Sequence, residues 1–95
     1  MLKEIIIYLI YSKNCPDCED MRDTILSAVE ESSAYGCCRL IKLDSETEEA
    51  VDLAVERDIQ DLPSCVIGEF IFCGKDGYTY DTIFNAIEET WKNAY

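Results

Sequence analysis

Residues 3–18, KEIIIYLIYSKNCPDC, are the most informative part of the sequence, because an apolar run leads into a cysteine pair at the start of a helical pattern. The segment 3–11 is apolar and β-branched after its first two residues, which is typical of a central strand buried on both faces. From Pro16 onward, where the missing N–H of proline costs nothing, apolar residues recur at helical spacing and predict an amphipathic helix that ends near Gly36. The stripe of this helix that faces the core consists of Cys18, Met21, Ile25 and Val29.

Short strands and helices alternate along the rest of the chain. In chain order they are a strand at 37–43, a helix at 45–60, strands at 64–67 and 70–73 joined by a hairpin, and a helix at 81–93. A strand–helix–strand unit implies a right-handed crossover and parallel strands, whereas a hairpin adds antiparallel ones. The sequence therefore predicts one α/β domain over residues 1–95, ordered β-α-β-α-β-β-α, with a four-stranded mixed sheet and helices on both faces.

Two features of the later helices are specific enough to be checked against the structure. Ser45 and Glu48 have the spacing of a capping box, which predicts that the second helix begins at Ser45. The side chains expected to face the core are Val51, Ala54, Val55 and Ile59 on the second helix, and Ile83, Phe84, Ile87 and Trp91 on the last.

The composition narrows the function before any motif is considered. Hydrophobic residues make up 48% of the 95 residues, and 20 acidic residues against 8 basic ones give a formal charge of −12. Such a charge repels phosphate backbones, so we expect no nucleic-acid partner and favour protein partners with basic surfaces. The apolar segment 5–11 is too short to cross a bilayer and no cleavage motif follows it, so we expect a cytoplasmic protein without a membrane partner. We also expect a monomer.

The six cysteines carry the chemistry, because the absence of histidine excludes Ser-His-Asp and Cys-His catalysis and any His-liganded metal site. Cys15 and Cys18 form a C-x-x-C motif at a strand-to-helix junction, which is typical of a dithiol redox site. Free N–H groups and the helix dipole stabilise a thiolate at Cys15, whereas the charge of Asp17 opposes it. Cys18 lies one turn further along and begins the apolar stripe. We therefore expect Cys15 to attack a substrate disulfide and Cys18 to resolve the mixed disulfide.

These motifs resemble the thioredoxin superfamily and, in size, layout and the C-P-x-C form, a glutaredoxin. Leu62-Pro63-Ser64 supports the resemblance, because it stands where the family has a hydrophobic residue, a cis-proline and often threonine. The resemblance implies that Cys15 and Cys18 are the catalytic dithiol and that Pro63 faces them. The substrate-binding surface that it implies consists of Lys13, Pro16, Asp17, Leu62, Pro63, Ser64 and Asp76.

The implied function is that of a thiol–disulfide oxidoreductase that reduces protein disulfides, including mixed disulfides with glutathione. It would serve as electron donor to a cytosolic thiol enzyme such as a ribonucleotide reductase. The resemblance implies no tightly bound cofactor and no metal. Glutathione and a flavoenzyme of the thioredoxin-reductase type are both open as the reductant.

The sequence departs from the family pattern around the expected site. Ser12, followed by Lys13, holds the position where glutaredoxins place a basic residue, and the segment 73–76 matches only part of their motif for the γ-glutamyl end of glutathione. Leu9 stands where thioredoxins have a buried acid, which leaves water or another group, for example Lys13, to transfer the proton of Cys18. Tyr78 and Tyr80 lie in the turn before the last helix, which borders the groove in this family.

A second class of function is compatible with the motif, namely a thioredoxin-fold binding module whose cysteine pair packs or holds a metal. A zinc site needs four ligands, so two of Cys37, Cys38, Cys65 and Cys73 would have to join the pair, and strand alternation sends Cys37 and Cys38 to opposite faces. A glutathione-coordinated iron–sulfur cluster, as in some glutaredoxin relatives, is a further alternative. Cys65 is either a third redox thiol or ligand, or an inward-facing strand residue. Cys73 has either a packing or a regulatory role.

Overall fold

The structure, a computed structural model, describes residues 4–93 as seven elements in the predicted order. The elements are β1 (Ile5–Tyr11), α1 (Pro16–Glu31), β2 (Cys38–Asp44), α2 (Glu48–Arg57), β3 (Ser64–Ile67), β4 (Phe70–Cys73) and α3 (Tyr80–Asn93). The bounds of β3 and β4 coincide with the prediction, and the largest differences lie at the end of α1 and at both ends of α2. The predicted strand start at Lys3 lies outside the described residues.

The four strands form one mixed sheet in the order β2-β1-β3-β4. β1 and β2 are parallel, with Leu9 opposite Lys42. β3 is antiparallel to β1, with Ile10 opposite Ser64, and β4 completes the hairpin. The continuous apolar run of β1 fits this central position, because the strand is covered on both faces. The predicted α/β architecture is confirmed.

Helices cover both faces of the sheet, because successive side chains of a strand point to opposite sides. Ile7 and Leu9 of β1 belong to the core formed with α1 and α3, whereas Ile10 belongs to a smaller core with α2. The buried helix side chains of the larger core are Met21, Ile25, Ala28, Ile83, Ala86 and Ile87, with Val29, Phe84 and Trp91 partly buried beside them. Within residues 4–93, no helix is both long and apolar enough to cross a membrane.

α1 ends at Glu31 and not near the predicted stop at Gly36. The hydroxyl of Ser32 donates to the carbonyl of Val29 at 2.8 Å and accepts from the N–H of Ala34 at 3.2 Å. The serine side chain therefore replaces the next helical hydrogen bonds and begins the turn. Gly36 lies at the end of this turn with a φ of +85°, a left-handed conformation that glycine adopts without strain.

The start of α2 corrects the predicted capping box. Asp44 organises the turn before the helix, because its carboxylate accepts from the N–H of Glu46 at 3.0 Å and its carbonyl from the N–H of Thr47 at 2.9 Å. Thr47 is consequently the N-cap, and its hydroxyl accepts from the N–H of Ala50 at 3.3 Å. The capping box at Ser45 was wrong, because the hydrogen bonds of Asp44 form a turn that moves the N-cap by two residues, to Thr47.

The stripe of α2 that faces the sheet also differs from the prediction. Ala50 is buried and Leu53 packs beside it, whereas Val51 and Val55 are 50% and 77% exposed. The prediction that both valines face the core was wrong, because α2 packs on the sheet through the stripe of Ala50 and Leu53 and leaves a second apolar stripe outside. When two apolar stripes are adjacent on one helix, the helical period in the sequence does not show which of them is buried.

The end of α2 comes earlier than predicted, at Arg57. Asp58 adopts the left-handed conformation with a φ of +56°, which stops the helix. The N–H of Ile59 then returns to the carbonyl of Ala54 at 2.8 Å, and its side chain packs with the smaller core. Ile59 therefore faces inward as predicted, although it lies in the loop that leads to β3.

Candidate active site

Cys15 is the N-cap of α1 and connects the loop after β1 to the helix. Its backbone is extended and Pro16 occupies the first helical turn, so the free N–H groups of that turn point toward the cap. The sulfur of Cys15 accepts from the N–H of Cys18 at 3.2 Å. The positive end of the helix therefore lies against this sulfur.

Cys15 and Cys18 are joined by a disulfide across a Cα–Cα distance of 5.2 Å. The two cysteines differ in their access to solvent. Cys15 is half-buried, whereas Cys18 is 5% exposed and begins the apolar face of α1, as its position in the helical stripe predicts. A reagent in solution would therefore meet the sulfur of Cys15 first.

A cleft of about 280 Å³ lies beside the disulfide on the β2 side of the site. Lys13, Arg22 and Lys42 line it together with both cysteines, and Glu19 is the acidic residue in its wall. These cations favour a thiolate in the cleft, although the chain as a whole carries a charge of −12. The cleft therefore carries a local charge opposite in sign to that of the molecule.

Lys42 and Arg22 were missed by the sequence analysis, which named only Lys13. Lys42 reaches the site because β2 pairs with β1 in a register that sets it opposite Leu9. Its position as a single lysine within the apolar strand RLIKL, residues 39–43, was the available signal. Arg22 follows Cys18 by one helical turn, which places both on the same side of α1, and it also pairs with Asp23 at 3.2 Å.

Asp17 and Asp20 of α1 lie toward Tyr78. Burial raises the pKa of Tyr78, the charges of Asp20 and Asp17 raise it further, and a hydrogen bond to Thr24 lowers it. Tyr78 therefore lies beside the part of α1 from Asp17 to Thr24. Asp17 is partly exposed there, so the α1 surface beside the cysteines is acidic and the cleft is basic.

Tyr80 lies far from the cysteines, unlike Tyr78. Its hydroxyl donates to Glu31 at the opposite end of α1, and its ring stacks on Phe84 at a centroid distance of 6.1 Å. The hydrogen bond to Glu31 raises the pKa of Tyr80 to about 12. A 16-residue helix is about 24 Å long, so Tyr80 does not border the site.

The loop before β3 is the second part of the candidate site. Leu62-Pro63 is a cis peptide, and Pro63 is buried. Because Ser64 pairs with Ile10, Pro63 lies beside the C-terminal end of β1, where the strand leads into the cysteine loop. Leu62 and Asp61 are exposed at this edge. The loop thus presents an apolar and an acidic side chain to solvent.

Ser64 and Asp76 occupy different environments around Pro63. Ser64 is fully buried and its hydroxyl donates to the carbonyl of Asp61, so its side chain holds the loop and does not reach the surface. Asp76 is exposed in the turn after β4. That turn is attached to the site, because the N–H of Gly74 donates to the carbonyl of Pro63 at 2.7 Å.

The other four cysteines are unpaired thiols. Cys65 is fully buried, and burial, followed by the neighbouring Cys73, raises its pKa to about 12. This environment favours an inward-facing strand residue over a third redox thiol, because the reactive thiolate is suppressed. Cys38 pairs with Ile5 at the far end of β1, so neither it nor Cys37 can join the C-x-x-C pair around one ion. Within residues 4–93, no group of three or more His, Cys, Asp or Glu residues is arranged to hold a metal.

Sequence comparisons give no relative for this chain, since neither a protein-family profile nor a curated protein sequence matches it. Solved structures do match. An uncharacterised thioredoxin-like protein from Clostridium perfringens superposes with a TM-score of 0.70 at 19% identity over 95% of this chain and 73% of that one. A mutant thioredoxin from Halobacterium salinarum gives 0.67 at 18% identity over 94% and 76%, and thioredoxin f from spinach chloroplast 0.66 at 22% over 94% and 78%. These identities are low, so the similarity concerns architecture. The chain has the thioredoxin fold, which its element order and its C-x-x-C motif predict.

Proposed function

We propose that this chain is a thiol–disulfide oxidoreductase that reduces disulfides in other proteins through Cys15 and Cys18. The asymmetry of the cysteine pair carries the proposal. Cys15 is accessible and caps a helix N-terminus, whereas Cys18 is buried one turn behind it. A cysteine pair that only packs or holds a metal needs no such difference in access, and metal ligands beyond the pair are not arranged around it within residues 4–93.

The reaction follows from this arrangement. In the reduced protein, the thiolate of Cys15 attacks one sulfur of the substrate disulfide, a mixed disulfide forms, and the other substrate sulfur leaves as a thiolate that takes up a proton. The thiolate of Cys18 then attacks the sulfur of Cys15 and releases the second substrate thiol. Two electrons pass to the substrate, and the Cys15–Cys18 disulfide present in the structure is the product.

The cleft beside the pair supports the second attack, because Cys18 must lose its proton in a buried position. Desolvation raises the pKa of a thiol, whereas nearby cations lower it. Lys13, Arg22 and Lys42 line the cleft that also contains Cys18. We propose that these cations stabilise the thiolate of Cys18 and that water in the cleft accepts its proton, in place of the buried acid where Leu9 stands.

The proposed partners are proteins with a basic surface around the disulfide, in a reducing compartment such as the cytoplasm. Asp17 and Asp61 flank the site from α1 and from the Pro63 loop, and both are accessible. A cytosolic enzyme that oxidises a dithiol in each turnover, such as a ribonucleotide reductase, is the client class that the resemblance suggests. The reductant is either glutathione or a flavin-dependent thioredoxin reductase. Use of glutathione would make the activity of the glutaredoxin type, and use of the flavoenzyme would make it of the thioredoxin type.

A redox titration with alkylation of free thiols and peptide mass analysis tests the proposal. We expect Cys15 and Cys18 to oxidise and reduce together, at a potential between roughly −270 and −200 mV, the range from thioredoxin to glutaredoxins. Cys15→Ser should abolish insulin disulfide reduction, whereas Cys73→Ser, the matched change at a half-buried cysteine, should retain it. Failure of the pair to cycle would contradict the proposal, and protection of both thiols until a chelator is added would favour the metal-holding alternative.

The same preparation distinguishes the two reductants. Reduction of the Cys15–Cys18 disulfide by glutathione with glutathione reductase indicates the glutaredoxin type of cycle. Reduction by a thioredoxin reductase with NADPH, and slow reduction by glutathione, indicates the thioredoxin type.

A further inference from the structure

The outer side of α2 carries an apolar stripe that the chain itself leaves uncovered. Val51 and Val55 lie four residues apart, on one face of the helix, and are 50% and 77% exposed. Ala50 and Leu53 already supply the contact with the sheet. The two valines therefore contribute little to the core and form an unpartnered apolar surface.

This stripe is one wall of a groove of about 480 Å³ between α2 and the loop that leads to Pro63. Ile59 and Leu62 form the opposite wall, and Ile10 lies beneath them. Leu62 is 40% exposed and directly precedes Pro63, so the groove continues into the loop at the candidate active site. A peptide segment of a partner that lies in the groove would extend toward the C-terminal end of β1, where the cysteine loop begins.

Acidic side chains lie at the Pro63-loop end of the groove and along the exposed surface of α2. Asp58 and Asp61 line it, and the exposed residues of α2 include Glu48, Asp52 and Glu56. Across residues 44–61, eight acids oppose one arginine, for a net charge of −7. An apolar floor with an acidic rim is complementary to an amphipathic segment whose apolar side chains are flanked by lysine or arginine.

We propose that the groove formed by Val51, Val55, Ile59 and Leu62 docks a basic amphipathic segment of the protein substrate and so directs that substrate's disulfide to Cys15. The inference deepens the proposed function and rests on it for the chemical step. A second copy of this chain is a poor occupant, because its acidic α2 would face the same acidic rim in a molecule of charge −12.

Peptide disulfides of opposite charge test the docking directly. Two peptides would carry the same disulfide and the same pair of leucines four residues apart, one flanked by lysines and one by glutamates. At low ionic strength we expect kcat/KM to be roughly tenfold higher for the lysine peptide than for the glutamate peptide, and we expect the difference to lie in KM. In high salt, where the Debye length is about 3 Å, the two kcat/KM values should converge.

Val51→Ser/Val55→Ser removes the apolar stripe, and Leu26→Ser on α1, which is 47% exposed, is the matched control. Val51 and Val55 are 50% and 77% exposed, and their burial on binding corresponds to roughly a tenfold or greater change in affinity. The measured quantity is the ratio of kcat/KM for the lysine peptide to kcat/KM for hydroxyethyl disulfide, a small substrate that does not need the groove. We expect the double variant to lower this ratio by that factor and Leu26→Ser to leave it unchanged. Val55→Ala, which favours the helix, replaces the double variant if serine unfolds α2.

Three outcomes overturn the docking proposal: equal KM values for the two peptides, an unchanged ratio in the valine variant, or an equal loss in Leu26→Ser. Sedimentation that shows a dimer of the wild type and a monomer of the valine variant overturns it as well, because the occupant is then a second copy. An inactive wild type defeats the proposed function instead. In that case fluorescence anisotropy with the lysine peptide, its cysteines replaced by serine, still decides whether the groove binds it.

Discussion

Asp17 stands between the two cysteines, and replacing it with asparagine removes a negative charge from the first turn of α1 while keeping the shape of the side chain. The helix N-terminus and the cleft cations favour the thiolate of Cys15, whereas Asp17 opposes it. We therefore expect Asp17→Asn to lower the pKa of Cys15. If Asp17 acted only as a helix-starting acid, its loss would weaken the helix and would not lower the pKa of Cys15.

The size of this effect follows from the geometry of the helix start. Side chains two residues apart there are separated by about 8 Å. Two unit charges at that distance interact by about 0.5 kcal/mol in water and about 2 kcal/mol at an effective dielectric of 20. Both groups are partly exposed, so the lower half of this range applies, about 0.5–1 kcal/mol, or roughly 0.4–0.7 of a pKa unit.

The pH dependence of iodoacetamide alkylation at Cys15, quantified by peptide mass in a Cys18→Ser background, measures this pKa. Glu30→Gln is the control, because Glu30 lies near the other end of α1, about 22 Å along the helix axis and beyond the Debye length of about 8 Å at physiological ionic strength. High salt should diminish the shift in Asp17→Asn. An unchanged or raised pKa, or an equal shift in Glu30→Gln, would refute the electrostatic reasoning for this site.

Three further predictions concern positions whose surroundings are fixed by the fold. Gly77→Ala should destabilise the protein by about 1–3 kcal/mol, measured by urea unfolding, because its Cβ would lie 2.0 Å from the carbonyl oxygen of Cys73. Cys65, whose pKa is raised to about 12 by burial, should resist iodoacetamide in the folded protein at mildly alkaline pH and react once the protein is unfolded. Tyr80→Phe should remove a stabilising contact with Glu31 that is complete below the unfolded tyrosine pKa of about 10 and lost as pH rises through the folded value of about 12.

Each of these has an outcome that contradicts it. Gly36→Ala is the control for Gly77, since its Cβ meets nothing within 4 Å and only its φ of +85° opposes alanine, so a larger loss at Gly36 would contradict the steric explanation. Alkylation of native Cys65 as fast as that of Cys73 would contradict its burial. For Tyr80, spectrophotometric titration of the wild type and of Tyr80→Phe is the test. If the ionisation with a pKa of about 12 is still present in Tyr80→Phe, the hydrogen bond to Glu31 is contradicted.

Local patterns predicted most of the fold. The strand pair β3–β4 was predicted residue for residue, because a short apolar run bounded by Pro63 and a glycine turn has few alternative structures. The ends of α1 and α2 were not, since Ser32 and Asp44 redirect the backbone with side-chain hydrogen bonds that period and composition do not reveal. Helix ends depend on such single contacts, whereas helix existence depends on the whole stripe.

The cysteine pair could be predicted from spacing and position alone, whereas its surroundings could not. The C-x-x-C motif and the proline after Cys15 determine that a sulfur caps the helix, which is a local property of consecutive residues. Lys42 comes from a strand far along the sequence, and only the register of β2 against β1 places it in the same cleft.

The order of the elements, the helix-capping cysteine and the acidity of α2 follow from the sequence, because each of these properties belongs to neighbouring residues. Tertiary structure alone decided which of two apolar stripes of α2 faces the sheet, and so left Val51 and Val55 exposed beside the Pro63 loop. The physical reason is that burial depends on how whole elements pack, and a helix with two apolar stripes can bury only one of them against a single sheet.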